Sequence, residues 1–167
     1  LTHITAAFKL KTNVLNADFL TGSWTKHYDG IIANPPYYKH HFIKNKQEVF
    51  KDICQHTQFQ FSIQTNIYCW FLVKSINLLS KEGRLAFIVP SEFLNANYGE
   101  TIKAYLINSG VVLHLININF ENNVFDHALT TASIILAQKS AHKSTSINFF
   151  NVSDITKLNS LSQFLAH

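Results

Sequence analysis

Tyr28-Asp29-Gly30-Ile31-Ile32-Ala33-Asn34-Pro35-Pro36-Tyr37 runs a short apolar strand straight into two prolines and an aromatic. Successive prolines cannot sit in a central strand ladder, so the strand has to end at Ala33. They also lock φ and remove two backbone donors, which leaves a stiff turn offering carbonyl oxygens and the Asn34 amide. A planar ring carrying an exocyclic amino group suits such a turn. Its amino hydrogens would go to the Asn34 side-chain oxygen and the Pro35 carbonyl, with Tyr37 stacked on the ring.

On either side of this stretch the pattern is that of alternating strands and helices. Thr12 to Asp18 is a further apolar-rich run expected to be a buried strand. Asn66 to Leu79 places Ile67, Phe71, Ile76 and Leu79 at helical spacing. Lys81-Glu82-Gly83 is then expected to stop the chain before a strand from Arg84 to Val89. Thr101 to Asn108, closed by Gly110, predicts a shorter helix feeding a strand from Val111 to Asn119. Thr130 to Gln138 and Ser146 to Val152 predict two more strands, and Ser153 to Leu165 a helix capped by Ser153 or Asp154. This order predicts an α/β fold with a mostly parallel sheet and an antiparallel excursion after Asn119. Such sheets bind ligands beyond the carboxyl ends of their strands, so Asp18-Phe19, Asn34 to Tyr37 and Pro90 to Leu94 are expected to share one rim.

The 167 residues are 47% hydrophobic and 14% charged, which fits one well-filled domain. No apolar run approaches the ~20 residues of a membrane span, and Leu1 to Lys11 lack the order of a signal peptide. Cys54 and Cys69 stand outside any C-x-x-C spacing, so no disulfide framework or zinc site is indicated and a reducing cytoplasm is expected. His40 and His41 are adjacent, point in opposite directions on extended backbone and have no ligand set nearby, so no metal is expected. Net charge is +4, a balance compatible with nucleic acid. Arg84 is the single arginine, so guanine edges have almost no bidentate reader in this segment. Lys39, Lys44, Lys46 and Lys51 follow the proline turn and are equally suited to meeting phosphates or lining a solvated face. The chain begins at leucine and has no methionine, so it is expected to be an internal piece of a longer protein.

With these residues in hand, the chain resembles the gamma-class, amino-methylating, adenine-specific DNA methyltransferases of restriction-modification systems. Asn34-Pro35-Pro36-Tyr37 matches the family's catalytic turn. Asn16-Ala17-Asp18-Phe19 is similar to its acidic-aromatic motif, which contacts the adenine of S-adenosylmethionine. Asn66 to Phe71 resembles its fifth motif, where the position of Phe71 packs beside the same cofactor ring. Gly83 to Leu94 is similar to the strand and loop that follow. Asn123-Val124-Phe125 resembles the segment carrying an aromatic against the flipped target base. The features occur in the family's order over roughly residues 16 to 139.

The resemblance implies a Rossmann-like methyltransferase fold of which residues 1–167 hold the later part of the sheet. The family's Gly-rich cofactor loop and its DNA-recognition domain have no counterpart in these residues, so a partial catalytic domain is expected. It further implies Asn34, Pro35, Pro36 and Tyr37 in catalysis, Tyr37 and Phe125 against the target base, and Asp18, Phe19 and Phe71 on S-adenosylmethionine. Double-stranded DNA and a cognate restriction endonuclease, fused or separate, are the implied partners, in a bacterial or archaeal cytoplasm. Protein-glutamine and RNA-adenine methyltransferases use similar turns, and a non-catalytic remnant serving in DNA binding or assembly is a third reading. The long stretch from Tyr37 to Asn66 and the late aromatic favour DNA.

Overall fold

The structure is a computed structural model that describes residues 13–37, 45–96, 99–118 and 131–153. Its elements are β1 (Tyr28–Ala33), α1 (Lys46–Thr57), α2 (Ile67–Asn77), β2 (Leu79–Pro90), a 3-10 turn (Ser91–Leu94), α3 (Gly99–Ser109), β3 (Val112–Ile118), β4 (Ala132–Gln138) and β5 (Asn148–Val152). They build a five-stranded sheet in the order β1-β2-β4-β3-β5. The pairs β1 with β2 and β3 with β5 are parallel, while β4 runs antiparallel to both of its neighbours.

The α/β layout and the antiparallel excursion agree with expectation, but the excursion lies inside the sheet, which is mixed rather than mostly parallel. The composition of β4 explains its central place. Ser133, Ile135 and Ala137 are buried on one face, and Ile134 and Leu136 are half-buried on the other. A strand this apolar is best placed with a neighbouring strand on each edge, as β2 and β3 are here.

The core forms where α2 meets the sheet. Leu85, Phe87 and Val89 alternate along β2 and pack with Ile135 and Ala137 of β4 against the helical layer. α2 buries most of its surface, from Ile67 to Ile76, because α1 covers it on the far side through Val49, Ile53 and Cys54. Trp70 is fully buried, its Nε1 donating to the Thr65 carbonyl at 3.1 Å, and Phe50 and Phe61 pack around its ring. Full burial of each such apolar side chain contributes roughly 1.5–3 kcal/mol. α3 ends at Gly110, whose φ of 65° is the left-handed geometry that a helix C-terminus asks of glycine.

Two further expectations need correction, and one helix was not foreseen. Residues 13 to 18 do not form a strand: Val14 and Leu15 are 62% and 69% exposed, and the segment bends into a turn closed by the Asp18 carboxylate. Among the described residues no strand lies alongside to satisfy its backbone. Lys81-Glu82-Gly83 does not stop the chain before a new strand, because β2 runs unbroken from Leu79 to Pro90. Glu82 takes the left-handed conformation such a stop uses, φ 63°, yet its N–H reaches Lys139 O at 2.7 Å and Lys139 N–H reaches Gly83 O at 2.9 Å. Cross-strand pairing therefore absorbs the irregularity as a bulge, seen as the register jump between Tyr28 and Gly30 on β1. α1, finally, was not foreseen, since its inward side chains, Val49, Phe50, Ile53 and Cys54, make a narrow stripe on a helix that is polar elsewhere. The helix expected at Ser153 to Leu165 lies outside the described residues.

Candidate functional site

Asn34 to Tyr37 leave the carboxyl end of β1 beside the carboxyl end of β2. Pro35 is buried, while Asn34 and Tyr37 are exposed, so the prolines anchor a turn whose polar ends face outward. The Tyr37 hydroxyl donates to Asn34 Oδ1 and also lies 3.2 Å from the Ile88 carbonyl. Burial raises the Tyr37 hydroxyl above its ordinary pKa of 10.0, which keeps it a donor across the neutral range. Its ring meets Tyr68 of α2 edge-on, centroids 6.3 Å apart at 90°. The Tyr68 hydroxyl lies 3.4 Å from Glu92 Oε1, and Asn66 Nδ2 donates to the same oxygen at 2.6 Å. The turn after β2 is thus tied to the start of α2. Next to it, Ser91 Oγ donates to Asn117 Oδ1 at 2.6 Å and lies 2.8 Å from Ser133 Oγ, which joins β2, β3 and β4.

One helical turn along α2 from Tyr68 lies Phe71. Phe71 is half-buried and stacks on Phe19, with centroids 5.2 Å apart and the planes 20° from parallel. Asp18 is exposed and its Oδ1 accepts from Leu20 N–H at 2.8 Å and Thr21 N–H at 3.3 Å, a side-chain-closed turn. Both bonds fall on one carboxylate oxygen, so Oδ2 can accept from a ligand. Phe19 is 36% exposed, which leaves part of its ring uncovered beside that carboxylate.

Asp18-Phe19, the proline turn and Pro90 to Leu94 therefore line one rim as expected, joined by Tyr68 and Phe71 on α2. Phe125, like His40, His41, Lys39 and Lys44, lies outside the described residues. Lys46 is half-buried and Lys51 exposed, both on α1. Sequence reasoning placed Asn66, Tyr68 and Glu92 inside motifs without giving them roles of their own, and it missed Lys74. The first three come together only when β2 ends beside the start of α2. Lys74 carried a signal of its own, a charge within an almost wholly apolar helix. No helix among the described residues is long and apolar enough to cross a membrane.

The structure shares its fold with S-adenosylmethionine-dependent methyltransferases. A Listeria monocytogenes chain described as a class I S-adenosylmethionine-dependent methyltransferase superposes with a TM-score of 0.71 at 16% identity, covering 97% of this chain and 48% of that one. Among proteins similar in sequence, the Type II methyltransferase M.AccI of Acinetobacter calcoaceticus is 44% identical over 153 residues, 92% of this chain and 28% of that protein. M.HincII of Haemophilus influenzae, also a Type II methyltransferase, is 31% identical over 143 residues, 83% of this chain and 27% of that protein. The chain thus spans just over a quarter of the length of these relatives. Residues 3–125 match the model of the Eco57I restriction-modification methylases. Together with the fold and the Asn34 to Tyr37 rim, that match makes the chain a member of the Eco57I restriction-modification methylase family.

Proposed function

We propose that this chain is the catalytic part of a longer DNA methyltransferase that methylates the N6 amino group of a flipped-out adenine, within a restriction-modification system of a bacterial or archaeal cytoplasm. The observation that carries this reading is the Asn34 amide oxygen held at the carboxyl end of β1, with the Tyr37 ring beside it and Phe71 and Phe19 one helical turn away.

Adenine's amino nitrogen gives its lone pair to the ring and is a poor nucleophile. Asn34 Oδ1 and the Pro35 carbonyl accept its two hydrogens, which favours a tetrahedral nitrogen and stabilises the positive charge that grows as the new carbon–nitrogen bond forms and the methyl group's bond to sulfur breaks; one of the two hydrogens then leaves to solvent as a proton. The Tyr37 hydroxyl uses one of the two lone pairs of Asn34 Oδ1, so the amino group takes the other or displaces the hydroxyl at a cost of about 1 kcal/mol for a neutral hydrogen bond, and the Tyr37 ring stacks on the base. Phe125 is proposed, from the resemblance alone, as a further aromatic contact to the base. Stacking offsets part of the few kcal/mol that flipping requires.

The residues present fit the adenine end of S-adenosylmethionine: an exposed carboxylate with an oxygen to spare lies beside the partly uncovered Phe19–Phe71 pair. Asp18 would accept from an amino group and the two phenylalanines would pack on the ring. When bound, the cofactor supplies an electrophilic methyl group. Double-stranded DNA and a restriction endonuclease are the proposed partners.

In the full-length protein, Asn34→Ala should abolish methyl transfer to an adenine-containing duplex while cofactor affinity stays within about threefold, since Asn34 acts on the acceptor nitrogen. Labelled methyl transfer followed by nucleoside analysis tests this. Near-normal turnover would overturn the mechanism, and transfer only to RNA or to a glutamine peptide would overturn the substrate.

A further inference from the structure

Lys74 is buried at 1% exposure in the middle of α2. A methionine or leucine would fill this position without the cost of taking an ammonium out of water, so packing alone does not account for it. What the charge does is specific. Its Nζ donates to the Leu20 carbonyl at 3.0 Å and the Gly22 carbonyl at 2.8 Å, both just past Asp18-Phe19. It also lies 5.3 Å from the Phe19 ring centroid and 4.3 Å from that of Trp24.

Trp24 is held in turn, its Nε1 donating to Asp52 Oδ2 of α1 at 2.7 Å, while the His56 ring stacks on it at 4.7 Å. Asp52 Oδ1 lies 3.1 Å from His56 Nδ1. Burial lowers the pKa of Lys74, and the carboxylates of Asp52 and Asp18 oppose that shift. The turn is therefore gripped from two sides, its amides by Asp18 and its carbonyls by Lys74.

We infer that Lys74 is a positioning residue for the cofactor's adenine end: its ammonium ties the Asp18–Gly22 turn to α2 and so fixes Asp18 and Phe19 beside Phe71. The inference rests on the roles proposed above for those three residues. Lys74 touches neither cofactor nor substrate and acts through the turn.

In the full-length protein, Lys74→Met should weaken S-adenosylhomocysteine and 5′-methylthioadenosine by the same factor, tenfold or more, in titration calorimetry. KM for the methyl donor should rise in step, with kcat and KM for DNA within twofold of the parent. The amides of Leu20 and Thr21 should exchange faster with solvent. Unchanged affinity in a folded Lys74→Met protein would overturn the inference, as would equal losses in kcat and in DNA binding. If Lys74→Met does not fold, Trp24→Leu decides, because it loosens the same turn from the α1 side: a severalfold loss of affinity supports the inference and none overturns it. Phe19→Ala separates the two levels. If it leaves affinity unchanged, the proposed pocket fails. If it weakens affinity while Lys74→Met does not, only the positioning role fails.

Discussion

The Tyr37 hydroxyl sits on the oxygen that the acceptor amino group is proposed to use. One hydroxyl hydrogen cannot serve Asn34 Oδ1 and the Ile88 carbonyl at once, so at most one of these contacts is a full hydrogen bond at any moment. Removing the hydroxyl frees Asn34 but keeps the ring. Tyr37→Phe is therefore expected to retain methyl transfer within about threefold, while Tyr37→Ala loses at least tenfold with the stacking surface. Single-turnover rates on a duplex substrate give the comparison, and a phenylalanine variant as damaged as the alanine one would rule out stacking as the main contribution. Asn34 and Tyr37 were legible in the sequence because two prolines mark the turn that presents them. Glu92 was not, since nothing local distinguishes it. Its link to Asn66 spans 26 positions and exists only once β2 has delivered it to the start of α2. Phe71 was legible as helical but not as half-buried, because periodicity shows a face and not what covers it.

At the level of elements, β2 shows how a local signal can be right about conformation and wrong about consequence. Lys81-Glu82-Gly83 carries turn chemistry, and Glu82 does adopt φ 63°, yet the ladder to β4 continues through it. Gly83 is the reason the bulge closes: a Cβ there would lie 2.8 Å from the Tyr28 carbonyl and 2.9 Å from that of Ser80. Gly83→Ala is expected to cost roughly 1–3 kcal/mol, the usual penalty of overpacking, and to lower the urea midpoint without changing cofactor affinity. An unchanged midpoint would mean that the bulge yields freely. The bounds of β1 were legible, since the apolar run and the proline stop agree, but the strand expected to be buried lies at the sheet's edge and is largely exposed. The missing strand before Asp18 fails for the opposite reason, because an apolar run becomes a strand only where a neighbour pairs with it. α1 escaped notice because Val49, Phe50, Ile53 and Cys54 make a narrow stripe on a helix whose other positions are polar.

Across the whole molecule, the sheet's two faces differ. One lies under α1 and α2, while the other shows Ile32 at 89% exposure and only half-buries His114, Ala86 and Leu136. Burial lowers the His114 pKa below the usual 6.5, so the unfolded chain takes up that proton more readily than the folded one. The stability involved is complete above pH 6.5 and declines as pH falls toward the folded value. His114→Gln should therefore flatten the drop in denaturation midpoint between about pH 7.5 and pH 5.5, and an equal drop in both proteins would dismiss His114 as its source. The fold class was legible because strand and helix alternate in the sequence. The strand order was not, since β4 pairs with β2 across more than forty positions and no local pattern encodes that choice.

β4's place in the sheet also matters while the protein is being made. The ribosome releases β1, β2 and β3 before it reaches Ala132, yet β2 and β3 do not touch without the strand that lies between them. Until that strand emerges, the nascent chain carries two apolar strands with open inner edges, the condition under which chains pair with one another instead. Deleting Ala132–Gln138 from the full-length protein is expected to give protein that precipitates or stays on a chaperone. Deleting Asn148–Val152, which removes only β5 from the sheet, should leave soluble product on expression. The rim that carries the proposed chemistry is encoded before residue 95, but its scaffold closes only when a strand made some forty residues later slides into the gap.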